Sequence, residues 1–417
     1  MNAGVVFQYF IIAGLINVSL FGFLLVTRKK NSAASFLLVI FMLLISFQAL
    51  LNAFDTREFF LANPHLSRIS WLLPSVFGPL VYLFARKIIH QQHHLEKEDG
   101  IHFIPFAFYF GALSPWFFSP GEQKVQLLSD FSELSKQDFG FLNQLSLVII
   151  LFYLILTLIE LRAYQREIEN TFSEISTRRL QWIRTFVYSM LAILIISALG
   201  FFGRKWGVPF FSNFYHYNYG LLVMLVYWMA YKCILQPDLY LVERGPTTAA
   251  ITDRLPVALD HSGPLTDNLT GPREPGNKKY QKSGLNNEAA ARLYSRLLDY
   301  MESNRPYIEP DLSIYKVAEY LDSPRHHLSQ VINEHAQKTF YDFVNSYRVE
   351  EVKKKLANPA MANRNILGIA LDCGFNSKAT FNAAFKKYTG MTPSAYQKTR
   401  SETYDQSGTV DSAPRIG

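Results

Sequence analysis

The chain has 417 residues, of which 15% are aromatic and only 18% charged, and its net charge is +7. That length allows two or three domains, and two cysteines, Cys233 and Cys373, exclude a disulfide framework or a cysteine zinc site. The positive balance points to an anionic partner, nucleic acid or lipid head groups; residues 278–400 carry 19 Lys and Arg against 12 Asp and Glu, so the excess sits in the C-terminal part.

Apolar runs dominate as far as Leu241. A bilayer core takes about 20 mostly apolar residues per helix. Seven stretches meet that need: Val5–Thr27, Ala34–Phe54, Ile69–Ile89, Ile101–Phe118, Asn143–Ala163, Ile183–Gly203 and Tyr217–Leu235. A soluble helical core would not hold so many consecutive runs without charged faces. Pro74, Gly78 and Pro79 interrupt the third, and Pro105 and Pro115 the fourth; proline kinks a spanning helix. The first run is long for a signal-peptide core and has no basic residue before it, so a retained span is expected.

Lys and Arg in short loops orient such a bundle. Arg28-Lys29-Lys30, then Arg86, Lys87 and Lys97, then Arg162, Arg166, Arg178, Arg179 and Arg184 fall in alternate loops. The opposite loops hold Arg57 and Arg68, Lys124 and Lys136, and Arg204 and Lys205. The richer side is expected in the cytoplasm, which puts the N-terminus outside and, after seven crossings, the C-terminus inside.

Ionisable residues at mid-membrane depth mark ion or proton paths, and these runs hold almost none. Glu160 and Lys232 fall near cytoplasmic ends, where they reach the interface. Asn17, Gln48 and Asn52 are uncharged and suit bonds between helices. A sensor is thus favoured over a transporter, although no residue identifies a signal. His90, His93, His94 and His102 cluster near one loop; solvated histidines are expected there, and no metal.

From Arg244 to Gly284 the pattern dissolves into Gly, Pro, Ser, Thr and Asn, a flexible connector assigned to 242–284. Roughly 40 residues at about 5–6 Å × √n span about 35 Å, so whatever follows stays near the membrane unless it is cut free.

Two C-terminal segments repeat each other. Ile314, Val317 and Ala318 match Ile366, Ile369 and Ala370 at an offset of 52. Leu328, Val331 and Ile332 match Phe381, Ala384 and Phe385 at 53, and Thr339, Phe340 and Phe343 match Thr392, Pro393 and Tyr396 at 53. A small Ala318 or Ala370 lets a second helix cross closely over the first. Gly374 can take the left-handed conformation that ends a helix. Ser323 and Asn376 are expected to cap the following helices, with Pro324 at a first helical position. The apolar residues that follow fall on one buried face, leaving the other free for a major groove. One such pattern is weak evidence for a helix-turn-helix; two in register within a basic domain are strong.

Over about Glu288–Gln397 the chain resembles the C-terminal domain of the AraC/XylS family of bacterial transcription regulators. The likeness is strongest in Ile369-Ala370, Cys373-Gly374-Phe375, Phe381 and Phe385–Tyr396. Tyr341–Leu356, with Arg348, looks like the family's long joining helix. Gly78–Tyr82 and His102–Phe106 carry a weaker likeness to multi-span modules fused to such domains. The resemblance implies that each unit puts its second helix into the major groove, at sites about 34 Å apart on one face of the DNA. The implied contacts are Arg325, His326, Ser329, Gln330 and Asn333 in the first unit. In the second they are Ser377, Lys378, Ala379 and Asn382, with Lys386 as a phosphate contact. Many family members carry Arg where this chain has Ala383, so the second unit is expected to position more than to read.

The expected fold is all-α: a seven-helix transmembrane bundle in 1–241, the linker 242–284, a cytoplasmic all-helical domain with two helix-turn-helix units in 285–400, and a disordered tail in 401–417. The expected function is a membrane-integrated, sequence-specific transcription regulator in the cytoplasmic membrane of a bacterium. The alternative is a membrane receptor or transport protein whose DNA-binding tail is secondary. Expected partners are double-stranded DNA in two adjacent turns of its major groove, the lipid bilayer, RNA polymerase and a second copy of the chain, though a two-unit domain can bind alone. No glycine-rich phosphate loop, nucleophile elbow or helical metal motif is present. No catalytic residue, metal or cofactor is therefore expected, and no enzyme.

Overall fold

The computed structural model describes residues 12–14, 22, 33–130, 140–175, 180–208, 214–235, 285–358, 361 and 364–399. Among these, every regular element is a helix, and one isolated β-bridge joins Phe172 to Ser313. The chain divides into two compact units: Met1–Ala163 with Leu180–Asp260, and Tyr164–Arg179 with His261–Gly417.

The first unit contains α1 (Ala33–Ala53), α2 (Arg57–Ala62), α3 (Ile69–Leu72), α4 (Pro74–Ile89), α5 (Ile104–Phe117) and α6 (Gly121–Ser129). It continues with the greater part of α7 (Gly140–Thr171), then α8 (Gln181–Lys205) and α9 (Phe214–Leu235). α1 carries no charged side chain and packs along α4 and against α9, while α8 packs along α9. Phe41 of α1 meets Phe77 of α4 and Phe186 of α8 edge-on, at 6.1 and 6.0 Å between ring centres. Gly78 lets α4 approach α7: a Cβ there would lie 2.9 Å from Cβ of Tyr153 and 3.3 Å from Cα of Ile150.

Three helices are long and apolar enough to cross a membrane: Ala33–Ala53, Gln144–Thr171 and Gln181–Gly203. The expected third span is broken ahead of Pro74, where Pro64–Leu72 and Pro74–Ile89 diverge by 45°. Proline supplies no N–H and clashes with the preceding turn, which accounts for the break. The expected fourth begins as a 3₁₀ turn, Lys97–Phe103, and Lys97–Phe117 turns by 91° into Gly121–Ser129. Counting each bent pair as one span gives up to five among the described residues, rather than the seven expected from composition. The apolar part of α9, Gly220–Met229, is short, and the expected first span lies outside the described residues except for 12–14 and 22. The 242–284 linker and the 401–417 tail also lie outside them.

On α7 the large exposed side chains Val148, Phe152, Ile155 and Ile159 follow one another at helical spacing as an apolar stripe. The histidines do not gather: His90 is held by Glu160 at 2.7 Å, while His102 lies edge-on to Tyr82 and Tyr153. Among the described residues no group of three or more His, Cys, Asp or Glu is placed to hold a metal.

The second unit contains α10 (Asn287–Ser303), α11 (Ile314–Tyr320), α12 (Arg325–His335), α13 (Phe340–Ala357), α14 (Ile366–Leu371) and α15 (Lys378–Thr389), followed by a helix over 393–399. It has two apolar cores. One gathers Leu297, Met301, Ile314, Val317, Leu328 and Val331 with Phe340, Phe343 and Val344. The other gathers Ile369, Cys373, Phe375, Phe381 and Phe385 with Val349 and Val352. α13 contributes its first half to one core and its second half to the other, so one helix joins both halves.

The repeat recurs in backbone geometry. Asp322 and Gly374, 52 residues apart, both have positive φ, at 43° and 93°. Gln337 and Gly390, 53 apart, do so at 52° and 74°. Thr339 accepts from the N–H of Asp342 at 3.2 Å, and Thr392 from that of Ala395 at 3.3 Å. The helix starts differ from expectation by one residue. Pro324 rather than Ser323 precedes α12, and Ser377 rather than Asn376 caps α15, its hydroxyl accepting from the N–H of Thr380 at 3.1 Å.

Gly374 is more constrained than Asp322, because a Cβ there would overlap the carbonyl oxygen of Tyr307 and lie 2.8 Å from that of Ile308. Gly374→Ala is therefore expected to destabilise the C-terminal unit by at least about 2 kcal/mol. Hydrogen exchange in the full-length protein checks this: amides of 364–399 should lose protection while those of α1 and α4 keep it.

Candidate nucleic-acid interface

Each half of the second unit carries its second helix, α12 or α15, on the surface of its own core. α12 rests on α11 through Leu328, Val331 and Ile332, all fully buried, and α10 and α13 also pack against it. Three neighbours leave it a narrow open face. His326 is exposed, and Arg325, Ser329 and Asn333 are half-buried. Gln330, expected on the exposed face, is only 7% exposed, and its amide donates to the Glu334 carboxylate at 3.1 Å. Enclosed by three packed helices, α12 leaves this position out of its open face. Arg325 donates to the Tyr315 hydroxyl at 2.5 Å and pairs with Glu167 at 3.3 Å.

α15 buries Thr380, Phe381, Ala384 and Phe385 and leaves Lys378, Ala379, Asn382, Ala383, Lys386 and Lys387 exposed. Lys378, Asn382 and Lys386 follow at intervals of four along this face. Ser377 is half-buried and bonded to Thr380, which makes it a cap. Lys387 is directed to Asp342 of α13 at 2.7 Å, and the Tyr388 hydroxyl donates to the Asp342 carbonyl at 2.8 Å. This second helix thus shows a broader polar face than the first.

Arg348 of α13 holds the two halves in place. It is 0% exposed. Its Nε donates to the Tyr307 carbonyl at 2.7 Å, and its Nη2 to the carbonyls of Glu309 and Pro310 at 2.7 and 3.2 Å. Further bonds reach Asn345 Oδ1 and both oxygens of Ser173. Burial lowers its pKa to about 10, so it stays charged at neutral pH. In the second core, burial raises the Cys373 thiol to about 11. Sequence reasoning placed Arg348 on the joining helix without its partners, and it assigned no role to Glu167, Ser173 or Glu174. Those three sit in a polar stretch after an apolar run, which offers no periodic signal of docking.

Residues 317–399 match the family described as "Helix-turn-helix domain". Residues 317–399 are a helix-turn-helix domain of AraC type. The chain is 33% identical over 106 residues to an "uncharacterized HTH-type transcriptional regulator" of Staphylococcus aureus (strain COL), covering 25% of this chain and 13% of that protein. It is 29% identical over 104 residues to the "Melibiose operon regulatory protein" of Escherichia coli (strain K12), covering 25% of this chain and 32% of the relative. The chain thus spans about a third or less of these relatives' lengths. Both are named as regulators. No solved structure matches the chain.

Replacing Arg348 by Met would take the guanidinium donor away from three loop carbonyls, a loss of about 1–3 kcal/mol; limited proteolysis of the full-length protein should then cut within 305–312. The raised thiol gives a second expected result. In a Cys233→Ser background, Cys373 should react with iodoacetamide at least about 100-fold more slowly than a free thiol at pH 7.5. The rate should rise about tenfold per pH unit toward pH 10, since only thiolate reacts.

Proposed function

We propose that this chain is a membrane-integrated, sequence-specific DNA-binding transcription regulator that senses a signal through its apolar half. The observation that carries the reading is the pair of helix-turn-helix units built on one helix, α13, each with a solvent-facing reader. Regulator names of the matched relatives support it. The partner is double-stranded DNA, entered at two major-groove sites about 34 Å apart. His326, Ser329 and Asn333 face base edges from α12, with Arg325 beside them, and Lys378, Ala379 and Asn382 do so from α15. Lys386 contacts phosphate. Gln330 and Ser377 act within the protein, as packing and capping groups.

The apolar half, 1–241, is a seven-span module with its N-terminus outside and its C-terminus in the cytoplasm of a bacterium. The three long apolar helices and the lipid-suited stripe on α7 support membrane insertion. The 242–284 connector keeps the DNA reader, 285–400, close to the bilayer. RNA polymerase and a second copy of the chain are the remaining partners.

Genome-wide footprinting of the full-length protein tests this. Discrete sites are expected, and Lys378→Ala with Asn382→Ala should lower occupancy at least about tenfold. Lys386→Ala should weaken all sites alike and reduce the slope of log K against log salt by about 0.9. A protein that occupies no discrete sites, and whose deletion changes no transcript, is not a regulator. A reporter fused after Leu241 should be active only in the cytoplasm.

A further inference from the structure

The second unit includes a stretch that, by chain order, connects the fifth and sixth apolar runs. α7 runs unbroken from Gly140 to Thr171, and residues from Tyr164 onward fold with the helix-turn-helix domain. Ile168, Thr171, Ser173, Glu174 and Ile175 are buried there. Phe172 bridges Ser313, just ahead of α11. The Ser173 N–H and hydroxyl both donate to the Leu312 carbonyl, at 3.1 and 2.7 Å. The Ser173 carbonyl accepts from Asn345 and Arg348 of α13, each at 3.3 Å. Glu174 Oε1 accepts from the Thr380 hydroxyl in the first turn of α15 at 3.3 Å. Glu167 pairs with Arg325 at the start of α12. The segment 167–175 therefore touches α12 and α15, the approach to α11 and the joining helix α13.

We propose that residues 167–175 are an intramolecular clasp through which α7 controls the DNA reader. Seated, the clasp fixes the two reading helices relative to each other, and its Glu167 carboxylate occupies the Arg325 guanidinium that a DNA phosphate would otherwise engage. A helix carries rotation and translation to its end as a rod, which a Gly-, Pro- and Ser-rich connector does not. The clasp itself is held by buried bonds to Arg348, whereas the Glu167–Arg325 pair is partly exposed, at 46% and 33% of the two side chains. Exposed pairs are weak, so this carboxylate is a modest brake that closely spaced phosphates overcome. The inference rests on the DNA-binding reading above.

The test uses the full chain in lipid nanodiscs with a duplex identified by footprinting. Glu167→Gln should bind about 3-fold tighter, with a salt slope steeper by about 0.9, one added phosphate contact. Glu169→Gln removes an equal charge two residues away and should match the wild type. Hydrogen exchange should show 172–175 protected in the wild type and exposed in Ser173→Pro, which lacks the N–H donor to Leu312. A wild type that binds discrete sites while Glu167→Gln leaves affinity and slope unchanged overturns the brake and leaves the DNA reading intact. Free exchange at 172–175 in the wild type overturns the clasp outright. A wild type that binds no duplex ends both.

Discussion

The buried guanidinium of Arg348 is the contact on which the C-terminal unit depends. A charge taken out of water is costly unless dipoles and hydrogen bonds replace hydration. Here the replacement comes from backbone carbonyls of Tyr307, Glu309 and Pro310, from Asn345 and from Ser173. These acceptors come from three separate parts of the chain. One side chain on α13 thereby fixes the turn before the first helix-turn-helix, the joining helix and the segment that follows α7. The Gly374 turn of the second unit lies against the same place, since a Cβ there would come within 3.0 Å of Arg348 Nε.

From that anchor the placement of the readers follows. α13 lends its first half to one core and its second half to the other, so one helix carries both α12 and α15. The two readers differ in surroundings. α12 is enclosed by three helices and shows few open side chains, with its Arg325 engaged by Tyr315 and Glu167. α15 lies nearer the end of the domain and leaves Lys378, Asn382 and Lys386 open. Alanine at 383 is compatible with this face, because its polar groups sit one, three and five positions away.

The apolar half obeys two opposed requirements. Bulky side chains such as Phe41, Phe77 and Phe186 fill the spaces between helices, whereas Gly78 removes a side chain where α4 and α7 come closest. Pro74 breaks what composition alone reads as a single span, because its missing N–H and a steric clash interrupt the ladder, whereas Pro79 and Pro115 lie within helices.

Much of the C-terminal unit was legible in the amino-acid order. The offsets of 52 and 53, the small Ala318 and Ala370, the positive-φ glycine at 374 and the apolar spacing of 328, 331 and 332 each follow from local geometry. Local rules also gave the long apolar helices. They did not give the burial of Gln330, because exposure on a helix depends on how many neighbours surround it. Nor did they give the cap at Ser377 instead of Asn376, whose side-chain amide donates instead to Asp311, 65 positions away. The seating of 167–175 lay furthest from reach. Its bonds link residues more than a hundred positions apart, and they involve backbone carbonyls that no side-chain pattern marks. Sequence by itself determined the helices and the repeat, because these are set within a few turns of chain; tertiary structure alone decided which polar groups meet, because buried charge accepts only the partners that folding brings to it.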